Sequence, residues 1–362
     1  MDTKAIVMPA AGQIEVRRVE LKPLGPDDVL IRTSLTSISA GTERMLFKGV
    51  MPHPMLQFPV VPGYETVGQV VEAGQNARDW PGKRVYVGGN YGFVGVNPAF
   101  GGQSEFIVAP ASHLTELQSL TDEQGVLLAL AATALHGVDV GGISSTGQQV
   151  ARSDQVGLDN MRPADLTRPA DLTRPADLTR PADLTRPADL TRPDDLTTLV
   201  LGQGIVGQLA ARFAKAYGAV VHVTDQAQAR LRHSVADAIV PAEPPPGPPR
   251  PGAYDVLVDA TGKMEAIASH LLSVKKGGRV VLLGYYDRID LPYMPAFLRE
   301  LTFAVSKEWA PGDLARARDA IASGLIDVSN LITHHLPADE APRAFELAFN
   351  DPECLKMVLV WK

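Results

Sequence analysis

Apolar and polar positions follow two rhythms along this chain. Up to about residue 135, short apolar runs are interrupted by Gly and Pro, the pattern of β-strands joined by turns. Ala5–Met8, Ile14–Arg17, Asp28–Thr33, Thr66–Glu72, Arg84–Val87 and Gln103–Val108 read as strands. Leu120–Gly137 reads as one helix, with Thr121 as N-cap and Glu123 and Gln124 in the first turn. Between 199 and about 300, strands and helices alternate. Val220–Thr224, Tyr254–Asp259 and Arg279–Leu283 are nearly continuous apolar strands, and Gln208–Tyr217 and Lys263–Leu272 have helical patterns. This alternation predicts an α/β fold with a doubly wound parallel sheet. Helices at Gly312–Ser323 and Pro337–Asn350 and a strand at Met357–Trp361 follow. They predict a return segment that completes the β-rich domain around an inserted nucleotide domain.

The run Leu199-Val200-Leu201-Gly202-Gln203-Gly204-Ile205-Val206-Gly207 leads an apolar strand into G-x-G-x-x-G. A helix, a second strand and Asp225 follow, the order of a dinucleotide-binding βαβ unit. Gly202 allows the tight turn, Gly204 lets backbone approach a pyrophosphate, and Gly207 lets the helix pack on the strand. Ile205 and Val206 open the helix, whose N-terminal N–H groups and dipole face an anion. Asp225 is spaced to accept hydrogen bonds from the adenosine ribose and to repel a 2′-phosphate, which favours NAD over NADP. Arg230 and Arg232 could instead greet a phosphate or lie on a solvated helix face.

With 362 residues, 45% of them hydrophobic, the chain can fill two domains. A net charge of −7 and the lack of a basic stripe argue against a nucleic-acid partner. Gly125–Leu135, the longest apolar stretch, is too short to span a bilayer, so no transmembrane segment is expected. Met1–Val16 mixes charges with short apolar runs and does not read as a signal peptide, so a cytoplasmic protein is expected. Cys354 is the only cysteine, which leaves no disulfide within the chain and no thiolate cluster for a metal. Arg-Pro-Ala-Asp-Leu-Thr recurs through residues 162–197, and its prolines forbid a continuous helix. It reads as a solvated insertion, with a docking module as the alternative. The proline-rich patch Pro241–Pro251 reads as a stiff surface loop or a polyproline ligand.

Ser37-Ile38-Ser39-Ala40-Gly41-Thr42-Glu43 and Val61-Pro62-Gly63-Tyr64-Glu65-Thr66-Val67-Gly68 resemble two signatures of the medium-chain dehydrogenase/reductase family. Zinc-dependent members carry Cys-Gly-Thr-Asp and Pro-Gly-His-Glu there. Ala40 (or Ser39, by alignment) takes the cysteine place and Tyr64 the histidine place; Glu65 persists. With both ligands lost and no structural-zinc cysteines, the expectation is no metal and a zinc-independent enzyme. The resemblance implies a Rossmann domain inserted in a β-rich GroES-like catalytic domain. The expected division is 1–135 plus 300–362 for the GroES-like domain and 136–299 for the nucleotide domain, with the repeats inside it. Blocks at Met1–Ala5, Gly41–Arg44, Leu127–His136 and Asp351–Leu359 resemble a pigment-biosynthesis branch. That branch implies oxidation of a 1-hydroxyethyl group on a tetrapyrrole to acetyl, with NAD taking the hydride.

Without a Lewis acid, side-chain acid–base groups must handle the alcohol proton. Tyr64 sits at the lost ligand position, where it could hydrogen-bond an alkoxide or merely pack as an aromatic. Glu65 and Glu43 are alternative bases, or members of a structural salt bridge. Thr42 matches a family position that relays a proton, and Thr133 one near the nicotinamide; a turn Thr and a buried helix Thr are the plain readings. His136 either takes part in catalysis or caps its helix. Gly284, Tyr285 and Tyr286 should lie near the cofactor after the last nucleotide strand. Met51, Met55, Phe58, Tyr91, Phe93 and Phe100 could line a cleft for a flat macrocycle, and His53 could ligate its magnesium or sit on an exposed loop. A homo-oligomer is expected from the family. Two rivals remain: a zinc-free NAD(P)H quinone or enoyl reductase, and a non-catalytic pigment- or nucleotide-binding protein.

Overall fold

The computed structural model describes residues 1–52, 56–90, 92–144, 196–242 and 252–361. The repeat tract up to 195, most of the proline patch, His53, Met55 and Tyr91 lie outside the described residues. Among the described residues, no helix is long and apolar enough to cross a membrane.

The middle of the chain builds a six-stranded, wholly parallel sheet. Its spatial order is 238–239, 220–224, 197–201, 254–259, 274–282, 302–305. Counted along the chain this is 3-2-1-4-5-6, the Rossmann order. The two central strands, Thr197–Leu201 and Tyr254–Asp259, are almost unbroken in burial because both their faces are covered. Helix Ile205–Ala216 lies in the same core as the long helix Leu128–Val140.

The first third of the chain and residues 334–360 form the β-rich lobe. Its main sheet runs 114–116, 84–87, 66–73, 28–37, 357–360, 334–337, and 106–110 also pairs with 28–37. Strand Met357–Val360 lies antiparallel on Asp28–Ser37, with Val358 opposite Ser37. The sequence-distant return segment therefore closes this lobe. A smaller sheet joins 2–7, 15–21 and 93–94.

Four elements differ from the sequence expectation. The helix read over Leu120–Gly137 is two helices, Asp122–Gly125 and Leu128–Val140. The short one is fixed by a capping box, in which Thr121 and Gln124 bond each other's backbone N–H. The parallel sheet also runs past residue 299, because Thr302–Val305 pairs with Val274–Leu282. Residues 42–47 and 293–299, to which no element is assigned from sequence, are helical.

Candidate active site

In the β-rich lobe, strand 28–37 ends at Ser37, and the chain turns through Ser39 into helix Thr42–Phe47. Opposite it runs the turn Pro62-Gly63-Tyr64-Glu65. Gly63 has φ +99, and a Cβ there would lie 2.5 Å from the Gln103 side chain, so only glycine allows this turn. The turn presents Tyr64, whose Oη is 2.9 Å from Ser39 Oγ and also hydrogen-bonds Thr42. The Tyr64 ring packs on Phe100 at 5.1 Å, and its carbonyl accepts from Tyr86 Oη at 2.9 Å. Burial, reinforced by the negative charge of Glu65, pushes the phenol far above its ordinary range. Tyr64 is therefore a neutral hydrogen-bonding group at any working pH.

Glu65 and Glu43 lie beneath this hydroxyl cluster, both essentially inaccessible to solvent. Glu65 Oε2 takes the ammonium of Lys356 and the hydroxyl of Ser37, both in very close contact. Lys356 also donates to the Ile38 carbonyl at 3.1 Å. Glu43 has no ion-pair contact among the described residues. It accepts from the Ser39 N–H at 2.5 Å and from Gln103 Nε2 at 3.2 Å. Burial pushes its carboxyl up to about 8, against those donors and with Glu65 adding to the rise. Gln103 is held by Thr36, whose hydroxyl also accepts from the Trp361 indole at 2.9 Å.

The donor set does not fit a zinc ion. Ala40 offers no ligand atom and is exposed, Tyr64 is a neutral phenol, and Glu65 already carries an ammonium. Structural and catalytic zinc sites need at least three protein ligands converging on one point. Among the described residues, no group of three or more His, Cys, Asp or Glu is arranged to hold a metal.

The dinucleotide fingerprint sits at the C-terminal end of strand Thr197–Leu201. Gly202 has φ +85, as its tight turn requires. A Cβ on Gly207 would lie 1.9 Å from the Gly202 carbonyl oxygen, so loop and helix touch through glycine. A Cβ on Gly204 would meet nothing within 4 Å, which leaves open space over the helix N-terminus. Ile205 and Val206 form the first turn there, with N–H groups that no earlier helical carbonyl can accept. Asp225 directly follows the next strand, Val220–Thr224. Its carboxylate accepts from Gln203 N–H at 2.6 Å and from Ala227 N–H at 2.7 Å, and Arg230 stands 3.8 Å away. The carboxylate thus braces the glycine loop itself. These groups fit a dinucleotide.

The structure brings Thr42, Glu43, Tyr64 and Glu65 together and places Gly202, Gly204, Ile205, Val206, Gly207 and Asp225 around one loop. Other residues singled out from sequence have structural contacts. Thr133 bonds the Ala129 carbonyl at 2.9 Å within its own helix. His136 faces Asp313 at 3.4 Å. Gly284 packs on Gly262, since a Cβ would lie 2.5 Å from its Cα. Met51 and Phe93 are buried in the core and Phe58 packs against it, so these three do not line an open cleft. Among the described members of that apolar set, Phe100 touches the site. Sequence reasoning missed Lys356, Gln103 and Trp361. A lone Lys inside the apolar block Cys354-Leu355-Lys356-Met357-Val358 was the available signal, because a buried ammonium needs a partner.

Comparison with known proteins agrees with this architecture. Residues 25–119 match the alcohol dehydrogenase GroES-like domain. The 2-desacetyl-2-hydroxyethyl bacteriochlorophyllide A dehydrogenase of Rhodobacter capsulatus is 32% identical over 366 residues, covering 100% of this chain and 99% of the relative. Its counterpart from Cereibacter sphaeroides is 30% identical over 370 residues, again covering 100% and 99%. A short chain alcohol dehydrogenase (rspB) from Escherichia coli CFT073, solved with NADH, superposes with a TM-score of 0.75 at 18% identity and 99% coverage of both chains. That likeness shows the fold.

Proposed function

The chain belongs to the medium-chain dehydrogenase/reductase family and is a dehydrogenase acting on a CH–OH group, and from that premise we propose that it oxidises the 1-hydroxyethyl side chain of a bacteriochlorophyllide to acetyl, with NAD as acceptor and without zinc. The observation that carries this reading is the end-to-end likeness to two dehydrogenases named for that substrate. The hydroxyl cluster of Tyr64, Ser39 and Thr42, at the position of the family's metal ligands, supports it.

Bound nicotinamide supplies the hydride acceptor. The chain's own residues handle the proton. Tyr64 Oη hydrogen-bonds the substrate oxygen, and its proton passes to Ser39 or Thr42 and on to water as it takes the alcohol proton. Each hydroxyl gives one proton and gains one, so the relay ends unchanged. Glu65 is assigned to positioning: with Lys356 on one oxygen, it holds the 64–65 turn against Ser37. Glu43 holds the start of the 42–47 helix through the Ser39 N–H. Gly202, Gly204 and Gly207 with the N–H groups of Ile205 and Val206 hold the pyrophosphate, and Asp225 selects NAD by disfavouring a 2′-phosphate.

The test is purified protein with 3-hydroxyethyl bacteriochlorophyllide and NAD, followed by NADH absorbance and the pigment spectrum. NADH forms and the pigment band shifts if the reading holds; neither change sinks it. Tight selectivity for NADPH with conjugated enones would favour a reductase. Stoichiometric zinc in active enzyme would overturn the zinc-free mechanism.

We also infer self-association. Among the described residues, strand Thr302–Val305 is an open edge of the parallel sheet. Beside it Tyr293, Met294, Phe297, Leu298 and Val305 are all more than half exposed. An open strand edge next to an apolar face is a pairing surface, and a second copy of the same edge is self-complementary. A monomer by light scattering at micromolar concentration would refute it.

A further inference from the structure

Asp259 is a carboxylate that the proposed reaction does not use. It ends strand Tyr254–Asp259, is fully buried, and lies in register between Leu201 on one neighbouring strand and Leu282 on the other. These two neighbours lead directly into Gly202 and towards Gly284. Strands 197–201 and 254–259 are also where the strand order reverses, the point at which open parallel sheets take their ligands.

Three donors from the strand-end loops converge on this carboxylate. Thr261 Oγ1 donates to Oδ1 at 2.6 Å, and the Gly262 N–H donates to Oδ2 at 3.1 Å. The Tyr286 hydroxyl, from the loop after the next strand, makes a very short bond to Oδ2. Both loops then press on glycine positions. A Cβ on Gly202 would lie 2.9 Å from Thr261 Cγ2, and one on Gly207 would lie 3.4 Å from the Ala260 Cβ. A Cβ on Gly284 would lie 2.9 Å from Tyr286 Oη. A continuous series of contacts therefore runs from the phosphate-facing loop, through Thr261, Asp259 and Tyr286, to the segment at Gly284. Burial raises the Asp259 carboxyl above its ordinary value, and the two hydroxyl donors and the Gly262 N–H oppose that rise.

We infer that Asp259 is a positioning residue for the dinucleotide: by tying Thr261 and Tyr286 to one buried carboxylate, it fixes the spacing of the two loops that flank the cofactor before the cofactor arrives. A preformed crevice binds without the entropy loss of ordering its walls. The role belongs to ground-state binding, since neither Asp259 nor Tyr286 belongs to the Tyr64 hydroxyl cluster. The inference rests on the proposed nicotinamide cofactor, and its test separates the two.

The experiment is calorimetric titration of the full-length protein with NAD, without substrate, for wild type, Tyr286→Phe, Asp259→Asn and the double variant. Tyr286→Phe keeps the ring and removes one hydroxyl, so it remains informative if Asp259→Asn fails to fold. Loss of one hydrogen bond to a charged group corresponds to roughly a tenfold rise in Kd. The expected result is that rise in each single variant, no further rise in the double variant, and kcat at saturating NAD within about twofold of wild type. The thermal unfolding midpoint of ligand-free Tyr286→Phe should fall by only a few degrees, so that the weaker Kd is read on protein that is folded at the titration temperature. Wild-type binding with an unchanged Kd in folded Tyr286→Phe overturns the inference alone, as does a fall in kcat with Kd unchanged. Wild-type protein that binds neither NAD nor NADP removes the cofactor reading and the inference together.

Discussion

Both lobes bury carboxylates, and they neutralise them by different means. In the β-rich lobe, Glu65 is met by the full opposite charge of Lys356, both side chains almost wholly enclosed. In the parallel-sheet lobe, Asp225 and Asp259 rely on backbone N–H and hydroxyl groups, with Arg230 at the edge of contact range from Asp225. An ion pair needs both members present, since a lone buried charge is costly, whereas a carboxylate ringed by dipoles loses its support in steps. The first arrangement is brittle and holds the Tyr64–Glu65 turn rigidly. The second is tolerant and suits a surface that must accept and release a large ligand.

The difference can be broken most sharply at Lys356. Lys356→Met strands the Glu65 charge and should cost about 3–5 kcal/mol in urea unfolding. Adding Glu65→Gln should recover much of that loss, and no recovery would mean that Lys356 acts by packing alone. Next in size, Tyr64→Phe should lower turnover about 100-fold while leaving NAD affinity and thermal stability near wild type. Unchanged turnover would remove Tyr64 from the proton relay. In the tolerant lobe, Asp225→Ala should weaken NAD binding about tenfold and narrow the preference over NADP, with the fold retained. A collapse of the fold instead would place Asp225 with the brittle type.

The last test concerns Glu43, which has dipolar donors but sits beside a second carboxylate. Its folded carboxyl titrates at about 8, against 4.5 as the ordinary value. Between these values the native state holds a proton that the unfolded chain has lost, so stability falls as pH rises from about 5 to about 8. Glu43→Gln should flatten that slope in thermal melts taken across this range. An unaltered slope would assign the pH dependence to other groups.

Legibility in the sequence followed the same division. The glycine loop and Asp225 are close in the chain, joined by bonds spanning 22 positions or fewer, and their spacing alone indicated the site. The βα alternation likewise indicated the parallel sheet. The hydroxyl and carboxyl cluster was half visible: Thr42, Glu43, Tyr64 and Glu65 stood out through the family signatures. The partners that decide their behaviour lie far along the chain. Nothing local to Glu65 shows that Lys356 will neutralise it, and nothing local to Glu43 shows that Gln103 will support it. The edge strand Thr302–Val305 was missed because it is largely exposed and lacks the buried pattern of the strands beside it.

The suture between strand Met357–Val360 and the 36–38 segment has a kinetic consequence. Lys356 reaches Ile38 across 318 positions and Trp361 reaches Thr36 across 325, with the entire parallel sheet between them. Contacts of such separation carry the largest loop-closure cost and form late in folding. The glycine loop needs only neighbours from its own lobe. A refolding chain should therefore acquire dinucleotide affinity first and turnover afterwards, with the lag set by closure of this one strand.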